Sequence, residues 1–331
     1  MQPFSSVKKV HGSKELLDIA FHRASKVNVR FLPGDTPLDK ARKREAARVR
    51  SASSILNARL KKVVNSFPSL DRVHPFYYEL ADVLVGVQTL KMYLASLDGA
   101  TRIIRRIAAE GIRKIRRAQT PREAAKGRIE AYGRISSVVR KLDDRLAFLE
   151  RARKALSKIP SINPEKPTIV VAGYPNTGKS SFVRAASSAK PEIAEYPFTT
   201  KHVILGHFTV NDKRYQIMDT PGILDRPMKD RNPIEKQAIA ALKHLAKVVI
   251  FIVDPTQSCG FPLENQLNLL REIKELMSGI PVITVINKVD LASPEELKEA
   301  KELFSDAMET VAAKGIGVKE AIRKAVEKIE K

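Results

Sequence analysis

Gly173, Gly178, Lys179 and Ser180 stand in GYPNTGKSS at 173–181, directly behind the apolar run TIVVA at 168–172. Phosphate oxygens need many donors in a small volume. Two glycines separated by four residues let the backbone wrap and aim its N–H groups inward, and a helix opening at the lysine adds a favourable dipole. On this reading Gly173, Tyr174, Pro175, Asn176, Thr177, Gly178 and Ser181 cradle phosphates. Lys179 bridges the outer ones, and the Ser180 hydroxyl holds Mg²⁺. The plain alternative is a glycine-rich turn with no ligand, so the downstream residues decide.

Three later stretches agree with the phosphate reading. Asp219-Thr220-Pro221-Gly222 follows the apolar run YQIM. An aspartate at a strand end can hold a magnesium-bound water, and the Gly222 N–H can reach a γ-phosphate. Asn287-Lys288-Val289-Asp290 follows PVITVI. A carboxylate at Asp290 can accept from both N1–H and N2–H₂ of guanine, whereas adenine offers no matching pair of donors. Ala312-Ala313-Lys314 can close over the base, and the usual residue in place of Ala312 is serine, so only backbone help is expected there. Together these imply a domain that binds GTP and GDP with Mg²⁺.

Hydrolysis needs an in-line water and neutralised phosphate charge. Lys179, Gly222 and Ser180 can supply positioning. The position after Gly222, where many small GTPases carry a water-orienting glutamine, is Ile223, so slow intrinsic turnover is expected. Asn176 has two readings: by resemblance to potassium-activated GTPases, whose same P-loop position binds a monovalent cation, it holds a K⁺ between phosphates, or it only stabilises the turn. Arg226 and Arg231 are candidate arginine fingers, with surface ion pairing the simpler reading for both. Cys259, the lone cysteine, reads as packing.

These residues need a scaffold of strands feeding helices. TIVVA, VIFIV and PVITVI alternate with amphipathic helical stretches, the pattern of a mostly parallel sheet flanked by helices. The first half differs. Residues 13 to about 159 predict long helices, hence a bundle. Thr36-Pro37 opens one running to about Ser66, and HPFYYEL begins another near 74. Gly99 is expected to separate a third helix from a fourth. Thr120-Pro121 with Glu123 predicts a capping box and a helix of about 40 residues, seamed by Tyr132, Ile135, Val139, Leu142, Leu146, Leu149 and Leu156. PSINPEKP at 160–167 reads as a linker. The expected division is 1–163, a basic helical bundle, and 164–331, a P-loop GTPase domain: α followed by α/β.

The net charge of +22 lies almost wholly in the first half, where 35 Lys/Arg stand against 16 Asp/Glu before residue 166. Arginine clusters at 42–45, 102–106 and 113–117 point to a polyanion, nucleic acid before anionic membrane. One cysteine excludes an intrachain disulfide, and the histidines show no metal-ligand spacing. The longest apolar runs are too short to span a bilayer, and the N-terminus has no signal-peptide core. A soluble protein of a reducing compartment, cytoplasmic and monomeric when free, is expected.

The segment Tyr196-Pro197-Phe198-Thr199-Thr200 resembles the switch of Obg-related GTPases. DTPGILDRPMKDRNPIEKQAIAALKHL at 219–245 and FPSLDRVHPFYYEL at 67–80, with the PSINP linker, closely resemble the nucleolar GTP-binding protein 1 family. The resemblance covers essentially the whole chain. It implies that Thr200, with Thr199 the alternative, binds the magnesium ion, and so joins Lys179, Ser180, Asp219 and Gly222 in the binding and positioning that hydrolysis needs. It also implies an assembly factor of the large ribosomal subunit, whose helical domain contacts rRNA on a pre-ribosomal particle. The form expected is a short, archaeal one without the C-terminal extension of eukaryotic members. The alternative is a signalling or trafficking GTPase whose basic bundle meets acidic lipid or protein.

Overall fold

Helix α1 (Ser13–Ser25) is followed by α2 (Pro37–Ser66), which opens on a full capping box. The Thr36 hydroxyl accepts from Asp39 N–H at 3.1 Å, and the Asp39 carboxylate accepts from Thr36 N–H at 3.2 Å. The computed structural model describes residues 2–195 and 202–331, so the expectations placed on Tyr196, Pro197, Phe198, Thr199 and Thr200 lie outside the described residues.

Next come α3 (Pro75–Val85) and α4 (Val87–Arg117). The break between them is at Gly86, with φ 72°, and Gly99 lies inside α4. A glycine ends a helix where the chain must take positive φ; elsewhere it stays helical at a cost of about 1 kcal/mol. The expected 40-residue helix is two, α5 (Pro121–Arg140) and α6 (Asp143–Leu156). The buried Leu142 sits at the break, and Asp143 and Asp144 suit the start of a new helix. Asp143 also accepts from Ser13 N–H at 3.1 Å, which fixes the start of α1. At α5 the Thr120 cap holds, but Glu123 accepts from Gln119 N–H rather than completing a capping box.

Two compact units result: residues 3–72 with 84–157, and residues 73–83 with 158–331 and Gln2. In the helical unit α2 carries a stripe of Ala41, Val49, Ala52, Leu56, Leu60 and Val63, all buried. Glu45 occupies a stripe position and is 3% exposed. Its carboxylate is met by Arg44, Arg48 and, from α5, Arg128 at 2.5 Å. Arg128 lies over the Tyr132 ring, which stacks on Phe21 of α1. Helices α4 and α5 approach closely at Gly111, where an added Cβ would stand 2.7 Å from that of Ala131.

The second unit is built on a seven-stranded sheet. Its elements are β1 (Thr168–Ala172), α7 (Lys179–Ala186), β2 (Glu192–Glu195), β3 (His202–Val210), β4 (Lys213–Asp219), α8 (Pro233–Leu242), β5 (Ala246–Val253), α9 (Leu263–Leu276), β6 (Val282–Ile286), α10 (Pro294–Leu303), β7 (Met308–Glu309) and α11 (Val318–Glu330). The strand order is β2-β3-β4-β1-β5-β6-β7. From β4 to β7 all neighbours are parallel; β3 is antiparallel to both β2 and β4. The β3–β4 hairpin turns at Asn211 and Asp212, both at positive φ, the conformation a two-residue hairpin requires. Ile169, Val171, Phe182, Ile250, Ile252 and Val285 lie in the core.

The stretch expected as a linker is packed into this unit. Ile159 and Ile162 are buried. The Tyr77 hydroxyl of α3 donates to Ile162 O at 2.5 Å and accepts from Ile162 N–H at 3.0 Å. Burial pushes that phenol up to about 12.

Candidate nucleotide site

In the order β4-β1-β5-β6, four adjacent parallel strands end on polar residues or glycine: Asp219, Gly173, Asp254 and Asn287. The carboxyl ends of parallel strands form the crevice where such sheets take ligands. Gly173 has φ 131°, and a Cβ there would lie 2.5 Å from Ile252 O, so the turn can leave β1 only as glycine. Asn176 takes φ 63° and is exposed. Gly178, at φ 98°, leaves room for Asn287, whose Nδ2 would be 2.2 Å from an added Cβ.

Asn287 is 2% exposed and joins two of the sequence motifs. Its amide donates to Thr177 O at 2.9 Å, and its oxygen accepts from Ala312 N–H at 2.8 Å and the Thr310 hydroxyl at 3.1 Å. The Ala312 N–H is thereby engaged within the protein, and Ala313 and Lys314 are the exposed members of their motif. Lys314 reaches Asp290 at 2.8 Å. Lys288 turns the other way and donates to Asp254 at 2.7 Å and to Ser258 at 2.9 Å.

Lys179 is held by the carbonyls of Gly173 and Tyr174, at 2.8 and 2.7 Å. The Ser180 hydroxyl donates to Asp219 Oδ2 at 2.5 Å. Asp219 is fully buried, and its Oδ1 has no partner among the described residues. Burial raises its pKa, against the opposing pull of the Ser180 hydroxyl and Lys179. An orphaned oxygen beside a hydroxyl is the donor set a hard divalent cation takes, so these residues fit Mg²⁺. Gly178, Lys179, Ser180 and Ser181 open α7, whose first N–H groups lack helical partners, as anion cradles require.

The loop after β4 differs from expectation. Thr220 anchors it by donating to Val171 O at 3.1 Å, and Pro221 follows. The Gly222 N–H donates to Asp225. Ile223 is buried and faces the core. Arg226 pairs with Glu235 at the surface, but Arg231, read as a surface ion pair, has a side chain 1% exposed. Asp254 and Asp225 went unnoticed in the sequence, and the burial of Arg231 was not foreseen. Asp254 carried a signal: it follows an apolar strand directly, as Asp219 and Asn287 do. It accepts from Thr256, the Cys259 N–H and Lys288, and despite full burial its carboxyl is held below the usual range by these bonds. The Tyr174 ring stacks on Phe261, with centroids 3.9 Å apart.

Two family models match in chain order, "NOG1 N-terminal helical domain" over residues 4–163 and "Nucleolar GTP-binding protein 1 (NOG1)" over 233–290. An uncharacterized protein of Methanocaldococcus jannaschii is 39% identical over 89% of this chain and 83% of its own length. Nucleolar GTP-binding protein 1 of Drosophila melanogaster is 34% identical over 90% of the chain. The chain belongs to the nucleolar GTP-binding protein 1 family. Within the family, the Saccharomyces cerevisiae protein is 32% identical over 93% of the chain. The chain spans about half the length of these eukaryotic relatives, 46% and 48%, and most of the archaeal one. Family membership joins the helical unit and the GTPase fold in one chain, as the sequence resemblance implied.

Proposed function

We propose that this protein binds GTP and GDP with Mg²⁺, hydrolyses GTP slowly, and acts as an assembly factor of the large ribosomal subunit whose helical unit contacts rRNA. The observation that carries the nucleotide reading is Asn287. One buried side chain braces the phosphate turn through Thr177 and the base-side motif through Ala312, so both ends of a nucleotide site are built as one piece. Asp290 selects guanine. Ser180 and Asp219 hold Mg²⁺, which when bound neutralises phosphate charge. Lys179, pre-positioned by two carbonyls, turns to the outer phosphates. Ile223 is buried, so that position orients no water, and turnover lies well below the typical enzyme value of about 10 s⁻¹.

Asn176 is exposed in the phosphate turn, where it can bind K⁺ or serve the turn alone. A faster rate in potassium than in sodium, removed by Asn176→Ala, supports cation binding; identical rates leave it a turn residue.

The RNA reading draws on charge that is free to act. Arg102, Arg105, Arg106, Arg113, Arg116 and Arg117 of α4 are exposed, with no acidic partner among the described residues. The cluster at 42–45 is different: Arg42 donates to Ala118 O, Lys43 pairs with Asp35, and Arg44 meets Glu45. The eukaryotic relatives' name, nucleolar GTP-binding protein 1, agrees with both halves of the proposal. The deciding experiment is competition for a fluorescent guanine nucleotide. GTP and GDP displace it and ATP does not; equal displacement by ATP overturns the assignment.

A further inference from the structure

The loop after β4 holds a carboxylate on the donor expected to meet a third phosphate. The Gly222 N–H donates to Asp225 Oδ2 at 2.7 Å. Asp225 is 4% exposed, so water competes little for that bond. The rest of the loop is arranged around it. Ile223 and Leu224 are buried, and their N–H groups both donate to Thr220 O, at 3.0 and 3.3 Å. Leu224 O accepts from Gly173 N–H at 3.1 Å, tying the loop to the first glycine of the phosphate turn. Arg231 reaches back and donates to Gly222 O at 3.2 Å and to Arg226 O at 2.8 Å. Its guanidinium lies 3.9 Å from the second oxygen of Asp225.

We propose that Asp225 sets the discrimination between GTP and GDP at this site. It holds the Gly222 N–H when no third phosphate is present, and GTP must displace it to take that donor. The inference rests on the guanine-nucleotide reading above. One N–H cannot serve two anions, and two anions drawn to one donor repel each other. GDP has no third phosphate and leaves the bond intact. GTP gains a donor only by breaking a charge-assisted hydrogen bond in a buried place, where such bonds are strong. The site is therefore biased toward GDP. Displacing Asp225 also strips Arg231 of its nearest carboxylate, so residues 222–231 rearrange together when the bond opens.

A residue that merely caps this turn behaves differently. Its loss loosens the loop and weakens both nucleotides. Loss of an internal competitor strengthens the triphosphate alone. The test titrates the full chain, in Mg²⁺, with fluorescent GDP and a fluorescent non-hydrolysable GTP analogue. In Asp225→Ala the analogue binds about tenfold tighter or more, with GDP affinity unchanged. Asp225→Asn keeps an acceptor oxygen without the charge and falls between Asp225→Ala and wild type.

An unchanged ratio overturns the proposal, as does equal weakening of both nucleotides. A second measurement needs no variant. The Gly222 amide resonance of the wild type is the same in the free and GDP-bound protein and moves with the GTP analogue; GDP and analogue forms that coincide overturn the assignment. Failure of the wild type to bind either nucleotide removes the guanine reading itself. Binding of both with an unaltered ratio in the variants removes only the role of Asp225.

Discussion

A carboxylate accepts at both oxygens and donates at neither, which is why Asp290 suits the two donors on the guanine edge. Asp290→Asn places a donor against a donor. Guanine nucleotide binding is expected to weaken about 100-fold, from hydrogen bonds to a charged group worth about 3 kcal/mol together. Thermal stability stays close to wild type, because the lost partner Lys314 is 62% exposed and such pairs contribute little. Titration of fluorescent GDP beside a melting curve checks both. At this scale the sequence was legible where chemistry is local. The spacing of Gly173, Gly178 and Lys179 carries its meaning within seven residues. Asp225 and Arg231 were illegible because their burial depends on a loop folding back on itself. Nothing in the string DRPMKDR states that its second arginine turns inward.

Helices are held here by buried or half-buried carboxylates as well as by apolar stripes. Glu45 joins α2 to α5 through Arg128 and sits where the stripe calls for an apolar side chain. Glu45→Gln leaves Arg44, Arg48 and Arg128 around a neutral amide. A loss of about 3 kcal/mol is expected, the lower end for breaking a buried pair, since its partners can still reach water. Urea unfolding of the full chain, followed by helical signal, measures it.

Glu150 ties the N-terminal segment to α6, accepting from Val10 N–H at 3.0 Å and from Arg153 at 2.7 and 2.9 Å. The Arg153 hydrogen bonds, opposed by partial burial and helped by Val10, hold its carboxyl down at about 2 instead of 4.5. The folded value is the lower one, so the stabilisation is full above about pH 4.5 and disappears as pH falls toward 2. It amounts to about 3 kcal/mol at neutral pH. Glu150→Gln is expected to melt earlier than wild type at pH 7 and to converge with it near pH 2; a pH-independent gap contradicts this. Element boundaries were the least legible feature. The pattern from Tyr132 to Leu156 runs on through the break at Leu142, where Asp143 opens a new helix and accepts from the distant Ser13 N–H, and Gly99 and Gly86 look alike until φ is known.

Across the whole molecule charge and connectivity matter most. If α4 carries the RNA contacts, reversing Arg102, Arg105 and Arg106 to glutamate in the full chain weakens binding to large-subunit rRNA. It also lowers the slope of log affinity against log salt by about 2–3. The same change at Lys319, Arg323 and Lys328 of α11 leaves both alone. Binding to anionic vesicles with none to rRNA moves the reading to a membrane or signalling role. The charge asymmetry behind this prediction was fully legible, since it needs only counting; which arginines are free was not, since partners such as Glu45 come from burial. Connectivity was the other hidden feature. Residues 73–83 belong to the GTPase unit although the first strand of its sheet begins at Thr168. A ribosome making this chain at about 5–20 residues per second releases α3 many seconds before its partners exist. Phe76, Tyr77 and Leu80 must stay uncovered while Ile162, 85 residues behind Tyr77, is still unmade. The helical unit can close during synthesis, but the nucleotide-binding unit cannot begin to complete itself until the chain has returned, so that α3 is the first helix of that unit to be made and the one that waits longest for its partners.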